Sequence, residues 1–314
     1  MKSLSENNEV TELYRECFPN ADTFQDRTYL SDGHAASGSS MTIHRIFPGV
    51  YLIFNRFNSK ECIEPVYPPF ALETLEINHC RQGRFGCLLP GDNYVYLGEG
   101  ELEVNILGIE RLKSEFPLGF YDGASVLVSV PEAVAYFKPI FPEVAEQLLL
   151  LKEQVKHNAG VMLIRQTPAV QKAFEELYRT DSILETDYCK LKILEILLTM
   201  QPGPVDRGQN QTTYFKRSDL EKVKGLRNEA VLHLDRRIPF ARLAENYGIA
   251  LTTAKHCFKE VYGMPYYTYM KHYRMHKALH YLDEKEKTVT QISSLLGYDN
   301  ASKFSAAFKS VLGC

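Results

Sequence analysis

No apolar run in this 314-residue sequence approaches the ~20 residues needed to cross a bilayer. The longest candidate, AEQLLLLKEQV, is shorter and carries charge at both ends, and the opening MKSLSENNEVTELYREC lacks the apolar core of a signal peptide. A cytoplasmic protein without membrane contact is the expectation. The seven cysteines (Cys17, Cys62, Cys80, Cys87, Cys189, Cys257 and Cys314) form an odd set with no CxxC pair. That argues against a disulfide framework and a zinc knuckle. Free buried thiols are expected instead, with a redox switch at Cys80 and Cys87 as the variant. A phosphate-cradling glycine loop and a Ser/His/Asp arrangement are also missing. In the first half only His34, His44, His79 and His157 occur, too scattered for the His and Glu cluster of a catalytic cupin. An enzyme is therefore not expected, nor a catalytic residue, a metal or a cofactor.

What is present is asymmetric. The net charge of −3 divides into residues 215–314, with 17 Lys and Arg against 10 Asp and Glu, and residues 1–214, with 19 against 29. A basic back half suits a polyanionic partner, whereas the acidic front half has other business. Between them QPGPVDRGQNQTT is polar and turn-rich, so the expected domains are 1–200, a linker at 201–214, and 215–314.

Within the front domain, residues 41–130 read as short strands rich in Val, Ile, Tyr and Phe: IHRIFPGVYLIFNRF, LETLEINHC, RFGCLLP, NYVYLGEGELEVNIL and ASVLVSV. Their spacing predicts an antiparallel sandwich or barrel, and the domain is read as a cupin-like β-barrel. Residues 131–200 turn helical, with Pro131 and Pro142 suited to first turns. ETDYCKLKILEILLTM carries an apolar stripe through Tyr188, Leu191, Ile193/Leu194 and Leu198, which packs on the barrel or on a second copy of the chain. The whole is an α+β protein with an all-α C-terminal domain.

That last domain holds a repeated constellation. RLAENYGIALTTAKHCFKEVYG reads as a helix, a turn at Gly248, and a helix with Ala254, Phe258 and Val261 inward. QISSLLGYDNASKFSAAFKSVLG repeats the pattern with Gly297, Phe304, Phe308 and Val311. Each is a helix-turn-helix, at 239–261 and 288–312, and a long helix near 266–282 lies between. SDLE at 218–221 and TVTQ at 288–291 read as capping boxes. The outward positions of the first second-helix are Thr252, Thr253, Lys255, His256 and Lys259. Those of its counterpart include Ser302, Lys303, Ser305 and Lys309, and Asn300 serves either as a cap or as a phosphate contact. His272, His276 and His280 form an i, i+4, i+8 ladder that no carboxylate or cysteine completes as a metal site.

These residues resemble the AraC/XylS family of bacterial transcription regulators. The match runs through Leu243–Ala244, Gly248, Phe258, Gly263, the Arg274-x-x-x-Ala278 linker helix, and nearly all of TQISSLLGYDNASKFSAAFKSVLG. EINHCRQGRFGCLL and FPLGFYDGASVLVSV further resemble the sensor domain of the siderophore-responsive subgroup. The resemblance implies base contacts from Thr252, Lys255 and His256, a homodimer, a small-molecule effector, double-stranded DNA, and RNA polymerase as a further partner. It also implies a Ser-Pro and a Tyr-Arg pair after the last glycine. Here Cys314 follows Gly313, so either the chain is trimmed or its last helical turn is unsupported. Arg45, Arg56, Arg81 and Arg84, with Tyr51 and His79, are the candidate effector contacts for an acidic or metal-chelate ligand. The competing reading is an effector-free regulator worked by a partner protein or by the cysteines. A ligand-sized apolar cavity inside the barrel would mark the first reading. A filled barrel with an exposed apolar patch would mark the second.

Overall fold

The structure is a computed structural model describing residues 7–15, 17–18, 20–24, 27–32, 38–62, 65–164, 168–179, 185–200, 215–283 and 286–313. The expected linker at 201–214 and Cys314 lie outside the described residues. The chain divides into two compact units, Met1–Tyr214 and Phe215–Cys314.

The N-terminal unit opens with helix α1 (Asn7–Arg15) and continues through nine strands: β1 (Asn20–Phe24), β2 (Arg27–Ser31), β3 (Ser40–Phe47), β4 (Val50–Phe57), β5 (Thr74–Leu89), β6 (Asn93–Gly98), β7 (Leu102–Ile106), β8 (Lys113–Glu115) and β9 (Tyr121–Ser129). Helices α2 (Val130–Phe137) and α3 (Pro142–His157), strand β10 (Val161–Ile164), and helices α4 (Pro168–Leu177) and α5 (Glu185–Thr199) follow. These strands pair antiparallel in the order β1-β2-β3-β4-β9-β5-β7-β10. The 16-residue β5 belongs to two layers. Its first half pairs with β9 and β7, and its second half with β6 and β8.

The strand pattern was legible, but its limits need correction. LETLEINHC and RFGCLLP are one continuous strand, the sheet starts at Asn20 rather than near residue 41, and β10 lies inside the stretch expected to be helical. Among the described residues no pairing joins β1 to β10, so the sheet is open and not a closed barrel.

One face of this sheet packs against the helices, with Leu52, Leu75, Ile77 and Val126 meeting Phe137, Leu148, Phe174 and Ile193. Each fully buried side chain of that size contributes roughly 1.5–3 kcal/mol. The opposite face meets α1 through Tyr51, Ile53, Val10 and Leu13. Both proline starts hold, since Pro131 and Pro142 sit in the first turns of α2 and α3. Helix α5 proves apolar on two sides. Cys189, Ile193, Ile196 and Leu197 are buried, whereas Tyr188, Leu191 and Leu198 face outward with Leu191 64% exposed.

The C-terminal unit contains α6 (Arg217–Leu232), α7 (Phe240–Asn246), α8 (Leu251–Tyr262), α9 (Tyr266–Asp283), α10 (Val289–Leu295) and α11 (Ala301–Leu312). α6 begins without a side-chain cap at Lys216, so SDLE lies within its first turns and is not the box that opens it. Pro239 stands at the N-cap of α7, one position ahead of the helix. The box at Thr288 and Gln291 is formed in both directions. Gly313, left-handed at φ 77°, donates its N–H to the Lys309 carbonyl at 2.9 Å at the end of α11.

The two turns are built alike. Gly248 N–H donates to Glu245 O and Ile249 N–H to Ala244 O, both at 3.0 Å. Forty-nine positions on, Gly297 N–H donates to Ser294 O at 3.0 Å and Tyr298 N–H to Ser293 O at 2.9 Å. This paired pattern around a left-handed glycine satisfies the helix's orphan carbonyls and sets the angle of exit. Lys222 and Arg237 then donate to the carbonyls of Gly248 and Gly297, at 2.9 and 3.0 Å.

The two glycines differ in surroundings. A Cβ at Gly248 meets nothing within 4 Å, whereas one at Gly297 sits 2.7 Å from Leu234 O. Gly248→Ala is therefore expected to cost only the left-handed penalty of roughly 1–2 kcal/mol. Gly297→Ala should cost clearly more, because a backbone carbonyl must also move. Urea denaturation of both variants measures the difference, and equal losses would contradict it.

Candidate nucleic-acid interface and sensor cavities

Phe258 organises the first helix-turn-helix. It is fully buried, with Phe240 edge-on at 5.6 Å, Tyr262 at 4.6 Å, Tyr266 at 5.4 Å and Tyr269 at 5.5 Å between ring centroids. Ala254, Cys257 and Val261 complete the inward stripe of α8. Once that stripe is fixed, helical geometry leaves Thr252, Lys255, His256 and Lys259 in solvent, with Thr253 half-buried. The His256 ring lies 5.3 Å from Phe215, tilted by 50° against it. Ala250, at the N-cap of α8, provides no side-chain acceptor.

The second unit is less deeply set. Phe304 is buried with Met275, Ile292 and Leu296, whereas Phe308 and Val311 are only half-buried. Asn300 caps α11, its Oδ1 accepting from Lys303 N–H at 2.8 Å. Ser302, Ser305 and Lys309 are exposed, and Lys303 pairs with Asp299 at 3.2 Å. The exposed surface of α11 thus offers short hydroxyls and two lysines, while α8 offers two lysines, a threonine and an imidazole.

Helix α9, of 18 residues and so about 27 Å long, spaces the two units. Buried Arg274 ties it to the chain after α6 by donating to Leu234 O and Arg236 O, each at 3.3 Å. Its histidines remain on or near the surface; burial, with His276 and Lys271 nearby, lowers the pKa of His272. Among the described residues no group of three His, Cys, Asp or Glu gathers as for a metal. Beside α9 lies a cleft of about 390 Å³ bordered by Arg237, Tyr267, Lys271 and Tyr298.

Among the described residues, two hollows of the N-terminal unit bear on ligand binding. The one inside the sheet is about 70 Å³, which holds a few waters. Its lining mixes aromatic side chains, Phe18, Phe57, Phe85 and Phe116, with buried polar groups that continue into a network beyond it. Asn55 Nδ2 donates to Ser125 Oγ at 2.9 Å, Tyr121 OH to Asn78 Oδ1 at 2.6 Å, and Asn105 Nδ2 to Glu103 Oε1 at 2.9 Å. Arg111 lies 3.6 Å from Glu76 and 3.5 Å from Glu103. These groups escaped the sequence reading because alternation in LETLEINHC and ELEVNIL ordinarily marks a solvated face, whereas here both faces are covered.

The other hollow, about 320 Å³, lies where the helix-facing side of β2, β3 and β4 meets α4 and α5. Arg56 and Arg81 border it, and so does Arg27, which lies outside the region expected to form strands. Arg81 stands at a bulge, since Cys80 pairs with Gly123 and Gln82 with Asp122, which leaves Arg81 as the extra residue. The guanidinium stacks over the Tyr178 ring at 5.0 Å.

The remaining effector candidates lie elsewhere. Tyr51 is wholly buried in the α1-facing core and has no free surface for a ligand. His79 is buried too, stacked on Phe174 at 4.2 Å with Nδ1 3.0 Å from the Tyr178 hydroxyl. Arg84 is buried over the Tyr96 ring, and Arg45 is half-exposed on β3 away from both hollows. The cysteine switch fails on the same grounds. Cys80 and Cys87 are both fully buried, and burial pushes the Cys80 thiol far up, away from reactive thiolate.

Two helix pairs with matching glycine turns, hung on one helix with cationic outward faces, define the class of module that reads double-stranded DNA. Residues 243–314 match the family model described as a helix-turn-helix domain, and the C-terminal unit is a helix-turn-helix domain of the AraC type. No curated protein matches the chain. Similar solved structures include the C-terminal domain of AraT, a response regulator from Geobacillus stearothermophilus, at 24% identity over 30% of this chain and 78% of that one, with a TM-score of 0.29. ToxT from Vibrio cholerae is 11% identical over 85% of this chain and 96% of its own, with a TM-score of 0.32. The AraC-like transcriptional activator CuxR is 10% identical over 74% and 80%, with a TM-score of 0.24. At these TM-scores the likenesses add nothing to the geometry. Among the described residues no helix is long and apolar enough to cross a membrane.

Burial lowers the pKa of His79 to about 4, and burial with Arg27 nearby does the same to His44. Both folded values lie below the unfolded 6.5, so the stabilisation is complete above 6.5 and drains away as pH falls toward 4. Melting temperature is expected to drop across that window, and His79→Phe combined with His44→Gln should flatten the slope. An unchanged slope in the double variant would contradict the assignment.

Proposed function

We propose that this protein is a sequence-specific, DNA-binding transcription regulator whose N-terminal unit senses a small molecule. The observation that carries the reading is the duplicated helix-turn-helix in a half of the chain whose net charge is +7. In this reading α8 discriminates bases. Lys255 donates to guanine O6 and N7, Thr252 touches a thymine methyl or a phosphate, and His256 donates through a ring nitrogen. Lys259 neutralises phosphate, as do Lys303 and Lys309 of α11, while Ser302 and Ser305 donate hydrogen bonds to phosphate oxygens. Asn300 acts as the cap that holds α11 in place, and Thr253 supports α8 from its half-buried position. The 27 Å helix suits two neighbouring major-groove segments about one turn apart.

Occupation of the N-terminal unit by its effector shifts DNA affinity through a coupling free energy of about 1–3 kcal/mol, or 5–150-fold. The near-filled interior does not meet the size expected of a ligand cavity in a barrel, so support for the sensing role comes from the larger outer hollow. RNA polymerase contact belongs to the same reading.

Binding of the full chain to a randomised duplex library at stated salt tests the DNA role. Lys255→Ala should cost about 1–3 kcal/mol and relax preference at one or two base pairs. Ser302→Ala should weaken binding little and evenly, and Lys259→Ala should reduce the salt slope by about 1. Greater loss of specificity from α11 than from α8 would sink this division of labour.

A second copy of the chain is the partner read for the outward Tyr188, Leu191 and Leu198 of α5, since a two-fold contact lays this apolar stripe on itself. Sedimentation of Leu191→Arg is expected to show monomer where the parent shows dimer.

A further inference from the structure

The outer hollow of the N-terminal unit has a chemistry of its own. Its volume of about 320 Å³ reaches the range of small-molecule sites, roughly 300–1,000 Å³, which the 70 Å³ interior does not. Three of its bordering side chains are guanidiniums, from Arg27, Arg56 and Arg81, against the single carboxylate of Asp122. Asp122 satisfies neither neighbour well. It lies 3.9 Å from Arg56 and 4.0 Å from Arg81, whose side chains are 67% and 45% exposed. Pairs that long and that wet are worth about 0–1 kcal/mol, so an incoming anion displaces little.

Beside the charges and the polar Ser40, Thr42 and Asn55, one part of the wall is apolar. Phe54 stands 6.1 Å from Tyr178 and 5.7 Å from His44, with Leu177 and Cys189 alongside. His44 is neutral near pH 7, since burial and Arg27 hold its pKa near 4. The positive charge of the hollow therefore comes from its arginines alone.

We propose that this hollow binds an organic acid, a carboxylate held by the forks of Arg56 and Arg81 with a flat apolar body laid against Phe54 and Tyr178. Guanidinium suits a planar carboxylate because its parallel N–H groups match both oxygens. Arg27 adds positive potential at the mouth. Arg81 stands at the bulge of β5 with its guanidinium over the Tyr178 ring. This proposal rests on the reading of the N-terminal unit as a sensor and gives that sensor a place and a ligand class.

The test is calorimetric titration of the full chain with benzoate, with phenyl phosphate as a second anion and benzyl alcohol as a neutral control. Benzoate is expected to bind with a Kd at or below about 1 mM, benzyl alcohol not detectably. Arg56→Gln and Arg81→Gln should each weaken benzoate about tenfold or more, and Arg81→Lys should fall between Arg81→Gln and the parent. Lys138→Gln, on the exposed end of α2, should bind as the parent does. Both arginines are largely exposed, and equal melting temperatures confirm that the variants fold. Tighter binding of phenyl phosphate than benzoate would overturn the carboxylate assignment. Absence of anion binding, or binding indifferent to both arginines, would overturn the site. DNA affinity measured on the same samples separates the two readings. A chain that binds DNA but no acid keeps its regulator role and loses this site, while one that binds benzoate through Arg81 but no DNA does the reverse.

Discussion

The C-terminal unit depends on one backbone constraint applied twice, a single left-handed residue between two helices. Gly248 and Gly297 take that conformation at φ 58° and 72°, and the two N–H groups that follow each helix close back onto its carbonyls. The exit angle of the second helix is then fixed, and with it which stripe meets the core. Phe258 and Phe304 are buried as a consequence, and Lys255 or Ser302 faces outward for the same reason. A cationic surface on α8 is thus the by-product of a glycine and a phenylalanine. The units are not equal. Five aromatic rings enclose the first core, whereas Phe308 and Val311 stay half in solvent in the second.

In the N-terminal unit the deciding constraint is polar. Glu76, Glu103, Asn105 and Arg111 meet one another in the interior, with Asn105 Nδ2 donating to both carboxylates. Buried groups of this kind are costly unless paired, and little space is left beside them. Ligand-sized space appears instead on the other side, where α4 and α5 meet strands whose outward residues include Thr42, His44 and Arg56.

Much of this was readable beforehand, and the misses have physical causes. Helix starts at Pro142 and Thr288 were legible because the signals are local, a missing N–H or a side chain reaching three residues on. SDLE failed as a cap because the backbone at Lys216 already provides the start of α6, leaving Ser218 inside the helix. The break assigned between LETLEINHC and RFGCLLP followed from Arg81, Gln82 and Gly83, which look like a turn but form a bulge within one strand. His79 and Tyr51 looked like ligand contacts as a polar and an aromatic strand residue, yet the sheet face each occupies is covered.

The amino-acid sequence by itself determined the helix-turn-helix pair. Glycine position, inward spacing and caps all act within a few residues, so composition and order suffice to specify them. Which of four arginines meet across one hollow was decided only by the tertiary structure. Arg56 and Arg81 lie on different strands, brought together by the β4–β9–β5 pairing. Pairing between strands distant in sequence is invisible to local pattern.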